Sequence, residues 1–417
     1  MTGLRAGAMN WGGNVAFAAR RVLRPRSVEE LCGMVAGADR IRALGTGHSF
    51  SRVADTTGDL VSLADLPPRV EIGTDTVTVS AGTRFGEVTG PLQAAGRALH
   101  NLGSLPHISV AGACATGTHG SGDGNPCLAA AVTAVELVTG TGELVTVRRG
   151  DPDFPGSVVA LGRLGIVTAL TLRTQPTYDV QQVVYEDLAP DAIEDLDGVF
   201  GAAYSVSLFT RYTGPGMGMA WVKRRVDPGV PWLPPQTWLG GTRAPEQRHP
   251  VPGERGDECT PQDGLPGPWQ TRLPHFRLEF TPSKGEEIQS EFFVAREHGV
   301  AAVRAVQAIG ARIAPQLLVG EIRTVAADDL WTSLAYGRDS VALHFTWVRN
   351  QPAVEEAVGH VEAALRPFEP RPHWGKVFTM PADEVRTRWD RLGDLRRLAE
   401  RHDPAGVFAN DFTDRYL

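Results

Sequence analysis

The stretch LGTGHSF, residues 44–50, sets His48 in a glycine-rich turn at the end of the apolar run RIRAL. Gly45 and Gly47 permit a tight turn whose backbone amides converge, a nest suited to a diphosphate. No Gly-Lys-Ser/Thr follows, so the turn is not a Walker loop. GxGxxG is absent too, and no acidic residue stands at the ribose-binding distance, which argues against a nicotinamide dinucleotide fingerprint. Taken alone, His48 fits a structural histidine capping the turn. A second stretch, NLGSLPHISVAGACATGTHGSGDGN, residues 101–125, consists almost wholly of small residues. Such a run packs no core. It lets backbone approach a large flat or charged ligand, and the hydroxyls of Ser104, Ser109, Thr116 and Thr118 supply hydrogen bonds. Two loops of this kind with a sheet between them suit a bulky dinucleotide; His119, inside the second, reads as a loop-packing histidine.

Polar residues at strand spacing come later. GEIRTV places Glu321 and Arg323 two apart, so on a strand they share a face. In SVALHFTWV, Val341, Leu343, Phe345 and Trp347 line one side while His344 and Thr346 share the other. Each pattern admits a solvated strand face or an exposed ion pair. Equally, an acid, a guanidinium, an imidazole and a hydroxyl on two strands line a pocket for a polyhydroxylated substrate. HWGKVF adds Lys376 beside His373 and Trp374. Of 41 basic residues only Lys223, Lys284 and Lys376 are lysine. A surface lysine is the ordinary reading, yet against an arginine background a lysine suits a compact point charge or a base of tunable pKa.

These residues need elements to position them. Ser27-Val-Glu-Glu30 is a capping box, and Val28, Leu31 and Val35 follow at helical spacing, predicting a helix to about Ala36. RIRAL, DLVSL, TVTVSAG and GIVTALTL read as strands, and AVELVTGTGELVTV as a hairpin. Strands and short helices in no regular βαβ repeat predict an α+β fold. The texture changes near Pro176. Residues 226–268 are dense in proline and glycine and read as a surface segment, either a lid or a disordered insertion. Helices are expected within REHGVAAVRAVQAIGARIA, AVEEAVGHVEAAL and ADEVRTRWDRLGDLRRLAERH. The expected domains are residues 1–175, 176–372, and a C-terminal segment 373–417 returning to the first.

With 417 residues the chain is too long for one ordinary core. Its formal charge of −7, with no recurring basic block, excludes a phosphate-backbone partner such as nucleic acid. No signal peptide or membrane span is legible, so the expectation is a cytoplasmic protein without membrane or protein partner. Cys32, Cys114, Cys127 and Cys259 show neither CxxC spacing nor a disulfide framework, and no metal is expected.

Together NWGGN, RPRSVEEL, LGTGHSF, NLGSLPHISVAGACATGTHGSG, GIVTALTL, EIRTV, HFTW, HWGK and DPAGVFANDF resemble the bacterial alditol (xylitol) oxidases, flavoproteins of the vanillyl-alcohol oxidase type, near the sugar-lactone oxidases. The match runs in order from about Asn10 to the C-terminus. The resemblance implies a two-domain FAD-binding fold with an α+β substrate domain inserted, and FAD attached through its 8α-methyl carbon to His48. Gly45, Thr46, Gly47, His48, Ser49 and Phe50, with Ser104, Ser109, Gly112, Ala115, Thr116, Gly117 and Thr118, then form the cofactor cradle. Gly165, Ile166 and Val167 match a segment at the nucleotide end of FAD, and His373 a further contact. Ser104, Glu321, Arg323 and Thr346 match the substrate pocket, and Arg323, Lys376 and His344 the catalytic groups at the reacting hydroxyl. The implied activity is oxidation of a terminal CH2OH of an open-chain alditol to the aldose, with oxygen reduced to hydrogen peroxide. Gly103, where many members carry alanine, corresponds to the position beside the flavin edge that meets oxygen. A sugar-1,4-lactone oxidase or dehydrogenase on the same scaffold is the alternative, and a non-catalytic flavin-binding protein a remoter one.

Overall fold

The computed structural model of the chain describes residues 9–226, 230, 232–280 and 286–417; Lys284 lies outside them. Ser27 caps the helix Val28–Ala36 by accepting from the Glu30 N–H at 3.1 Å, while Glu30 accepts from the Arg26 N–H at 2.7 Å. This satisfies two donors that a helix start would otherwise leave open. Leu31 and Val35 of that helix bury against Ile41, Val138 and Ile166. The N-terminal part of the chain thus builds two sheets around one core. Arg21–Leu23 and Ile41–Ala43 flank Asp59–Val61 in a parallel three-stranded sheet. An antiparallel five-stranded sheet runs Val70–Ile72, Thr76–Ser80, Ile166–Arg173, Val132–Val138, Leu144–Arg148.

From Asp179 onward the chain enters a ten-stranded antiparallel sheet. Its centre runs Asp179–Leu188, Met217–Val226, Ser205–Thr210, Leu317–Val325, Ser340–Val348, Glu287–Ala295. Val341, Leu343, Phe345 and Trp347 share one hydrophobic cluster with Val303 and Val306 of the helix Gly299–Ala308 and Val354 and Val361 of the helix Gln351–Leu365. Helices therefore cover one face. The alternate residues His344 and Thr346 are buried as well, 7% exposed each, so the other face meets protein rather than water.

Two expectations change, and one element is added. The proline- and glycine-dense segment is ordered where described: Thr237–Trp238 and Gly241–Arg243 extend the large sheet, and Gly267–Pro268 pairs with the Asp179–Leu188 strand. The Gln181 and Gln182 amides, donating to Gly264, Thr260 and Pro261 carbonyls, supply partners that backbone without regular structure needs. The helix expected over the ADEVR to AERH stretch splits into Ala382–Arg386 and Leu392–His402. Between them Trp389 is buried, stacks on Trp374 at 4.4 Å and donates its indole N–H to Ser333 O, which pulls the chain out of helical register. A strand with no sequence expectation, Glu287–Ala295, lies near the edge of the large sheet.

The C-terminal segment packs on the N-terminal part. Gly375 O accepts from the Phe50 N–H at 2.7 Å, and Val407 O from the Ile41 N–H at 2.8 Å. Among the described residues no helix is long and apolar enough to cross a membrane, and the four cysteines are free.

Candidate active site

A cavity of about 1150 Å³ lies between the two glycine-rich loops and the polar face of the large sheet. Drug-sized pockets span about 300–1,000 Å³, so this one admits something larger. Its roof is backbone and small side chains. Gly45, Thr46, Gly47, His48, Ser49 and Phe50 line it from the first loop, and Ser104, Ser109, Gly112, Ala115, Thr116 and Thr118 from the second. Gly47 has φ +72°, open to glycine, and a Cβ on Gly45 would stand 2.5 Å from Ser109 Oγ, so the loops approach each other only because that position is bare. Gly165 and Val167 also face the cavity.

Three expected residues stand elsewhere. Ile166 points into the core with Leu31 and Ile41, because alternate residues of a strand face opposite sides. Gly117 caps the helix Val110–Thr116 in the left-handed conformation instead of lining the cavity. Gly103 lies just outside the lining, its Cα directed at Thr118 Cγ2 and His119 O.

His48 stacks on Trp11 with ring centroids 5.0 Å apart. Its Nδ1 is buried and has no hydrogen-bond partner among the described residues. Burial pulls its pKa down to about 4, so the ring is neutral at pH 7 with a lone pair free to bond. An orphaned ring nitrogen beside a cradle of small residues fits a large ligand that supplies its partner.

The floor is charged. Register aligns Phe209 with Glu321, Glu321 with His344, and His344 with Glu291, a row across four adjacent strands. Glu291 is its node, fully buried. It accepts from Lys376 Nζ at 2.6 Å and Arg323 Nη2 at 2.7 Å, with His119 Nε2 at 3.2 Å. Burial alone would keep this carboxyl protonated, but Lys376, His119 and Arg323 outweigh it and hold its pKa well below the usual carboxylate range. Arg323 also lies 3.5 Å from Glu321. Burial opposes the ionisation of Glu321 too; Arg323 and then His275 overcome it and lower the pKa.

Lys376 Nζ donates to His344 Nδ1 at 2.7 Å, and His344 Nε2 meets Thr346 Oγ1 at 3.1 Å. Burial, then Lys376, brings the His344 pKa to about 4, leaving a neutral ring. Burial lowers the Lys376 pKa as well, with Glu291 opposing. His373 is buried beside the site, its Nδ1 accepting from the Gly375 N–H at 3.0 Å. The ligand atoms of His119, Glu291 and His373 lie within 4.8 Å of one another. Two cations already bond that carboxylate, so the trio is an ion-pair node and a poor metal site.

Ser104, Glu321, Arg323, His344, Thr346, His373 and Lys376 therefore share one cavity with the His48 loop. His119 is more than loop packing, since its ring reaches the buried acid. Glu291 and His275 had escaped the sequence reading. For Glu291 a signal exists: in EIQSEFFVA the polar Glu287, Gln289 and Glu291 recur at period two and all line the cavity. His275 sits in irregular chain where no period marks it.

Similarity to known proteins agrees with this geometry. A family model described as an FAD binding domain matches residues 19–148, and one described as D-arabinono-1,4-lactone oxidase matches residues 282–416. An alditol oxidase from a Streptomyces species is 47% identical over 97% of both chains, and an L-gulono-1,4-lactone dehydrogenase from Mycobacterium tuberculosis 30% identical over 98% of both. The crystal structure of cholesterol oxidase from Brevibacterium sterolicum superposes with a TM-score of 0.78 at 16% identity, covering 98% of this chain and 96% of that one. That likeness speaks for the fold alone, an α+β FAD-binding architecture with a substrate domain. On these grounds the chain is an FAD-dependent oxidoreductase and belongs to the alditol oxidase family, among the FAD-linked oxidases of the vanillyl-alcohol oxidase type.

Proposed function

We propose that this protein oxidises the terminal primary alcohol of an alditol to the aldose, with oxygen reduced to hydrogen peroxide, using FAD bonded covalently to His48. One observation carries the reading: donors and acceptors matched to a chain of hydroxyls line the same cavity as the cofactor loops. The 47% identity to an alditol oxidase supports it over the lactone reading, whose full-length relative is at 30%.

FAD, when bound, supplies the hydride acceptor and returns the electron pair to oxygen. The protein's own groups do the rest. Arg323 and Lys376 present two cations to the reacting hydroxyl, where they stabilise the charge that grows on its oxygen as the proton leaves. Lys376 is held beside the reacting oxygen by its bonds to Glu291 at 2.6 Å and to His344 Nδ1 at 2.7 Å. The Glu321 carboxylate and the Thr346 and Ser104 hydroxyls hold neighbouring hydroxyls and fix the chain end. Glu291 keeps both cations ionised and aimed. His48, neutral and with its Nδ1 unpartnered among the described residues, would be the residue that holds the flavin covalently. Gly103, with no Cβ, leaves the space beside Thr118 Cγ2 and the His119 carbonyl free of a side chain, which suits the approach of oxygen.

Anaerobic mixing with xylitol, sorbitol, mannitol, glycerol and L-gulono-1,4-lactone tests the reading. Bleaching of the flavin by the open-chain polyols and weakly by the lactone is expected. Bleaching by the lactone alone would establish the lactone enzyme instead, and no bleaching by either would leave a flavin-binding protein.

A further inference from the structure

The cavity wall holds a second lysine and histidine pair. Lys223, on the Met217–Val226 strand, is 1% exposed. Its ammonium donates to Leu273 O at 2.5 Å, Pro274 O at 3.1 Å and His275 Nδ1 at 3.2 Å. On the opposite side of the ring, His275 Nε2 stands 2.9 Å from Glu321 Oε1. The Glu321 carboxylate can only accept, so Nε2 must donate to it, which leaves Nδ1 to accept from Lys223, whose pKa burial lowers to about 7. A neutral imidazole then carries its one proton on Nε2, where it donates to the carboxylate. Burial, then Lys223, brings the His275 pKa to about 4, which keeps the ring neutral at pH 7.

The arrangement repeats that of Lys376 and His344, where a lysine also donates to Nδ1 and leaves Nε2 as the donor. Both histidines adjoin Glu321, His344 in register on the next strand and His275 through its hydrogen bond. His275 lines the cavity, and its backbone N–H and that of Phe276 both donate to Ser104 O, at 3.1 and 3.2 Å. One short segment thus ties the Ser104 loop to Glu321. The contacts of Glu321 with His275 and with Arg323 both fall on Oε1, so Oε2 is the oxygen left to a ligand hydroxyl.

We propose that His275 is a substrate-positioning residue and that Lys223, by donating to Nδ1, sets the tautomer in which His275 aims Glu321 at the polyol. The part concerning substrate rests on the alditol reading; the tautomer does not. Lys223 acts through His275 and touches no substrate.

Two measurements on the holoprotein test this. Nitrogen-15 NMR of histidine-labelled protein should show His275 protonated at Nε2, and Lys223→Met should give a mixture of tautomers or the Nδ1 form. A native His275 protonated at Nδ1 overturns the proposal, and needs no variant to be seen. In anaerobic bleaching by sorbitol, His275→Leu should raise the half-saturating concentration about tenfold with little change in limiting rate. His275→Gln, whose amide can donate to Glu321 without Lys223, should restore most of that loss. A fall in limiting rate at unchanged half-saturation, or no rescue by glutamine, would sink the positioning role. Should no polyol bleach the native protein, the alditol reading fails while the NMR result still decides the tautomer.

Discussion

The roof and the floor of the cavity are built on opposite principles. Residues 45–50 and 109–118 present amides, hydroxyls and bare glycine positions, and the histidine among them is neutral. The floor opposite carries Glu291, Glu321, Arg323 and Lys376, two acids and two bases within a few ångströms of one another, all but Lys376 buried. Holding a large preformed ligand asks for space and for donors that cost nothing to desolvate. Stabilising charge that appears only during reaction asks for fixed ions, and these survive burial only when paired. The roof can therefore lose a side chain and keep its shape, whereas each floor residue is bound to the ionisation of the next.

The contrast is sharpest at Lys376. Lys376→Met should cut turnover about a thousandfold, the scale of removing a preorganised charge at a reacting oxygen, with flavin content unchanged. Stopped-flow bleaching measures it, and near-native turnover would remove Lys376 from the reaction. Glu291→Gln should cost about a hundredfold in rate, and stability too, because breaking a buried pair costs about 3–5 kcal/mol. A native-like melting temperature there would show that Arg323 and Lys376 do not depend on it.

On the roof, His48→Ala should free the flavin to acid extraction and slow oxidation about tenfold, a loss of roughly 1.4 kcal/mol, with the fold intact. Flavin still covalently held in that variant would refute the linkage. Acidification acts on stability rather than on turnover. His48, His275 and His344 stay neutral in the native protein to about pH 4 because they are buried. The unfolded chain takes up those protons near pH 6.5, so stability is fully present above about 6.5 and falls as pH drops toward 4. Glu291 and Glu321, held below the ordinary carboxylate range, extend the loss to lower pH. Denaturant midpoints at pH 7.5 and 5 measure this, and a midpoint that rises at pH 5 would contradict the burial of these rings. The smallest effect is at Gly103. A Cβ there meets Thr118 Cγ2 at 3.4 Å, an ordinary contact, so Gly103→Ala should fold normally and slow only reoxidation by oxygen.

Roof and floor also differ in how plainly they are written in the chain. The cradle is continuous sequence, so Gly45, Gly47 and His48 announce it together, as do the small residues of 101–125. The Ser27 cap and the strand carrying Glu321 and Arg323 are equally local. Ile166 shows the limit of a matched segment, since strand alternation turned it into the core while its neighbours Gly165 and Val167 faced the cavity. Trp389 shows another: helical spacing continues through it, and only the buried stack on Trp374 interrupts the helix. Lys223 drew notice by its rarity, but nothing local says which histidine it meets, 52 positions away.

By itself the sequence determined the loops, their chemistry and the two-residue spacing that gives a strand one polar side, because these depend on neighbours a few bonds apart. Whether that side faced water or a cavity was decided by tertiary structure. The partners of Arg323 and Lys376 on Glu291 lie 32 and 85 positions away, brought together by sheet register. Burial and mutual pairing then gave those ordinary side chains their shifted pKa values.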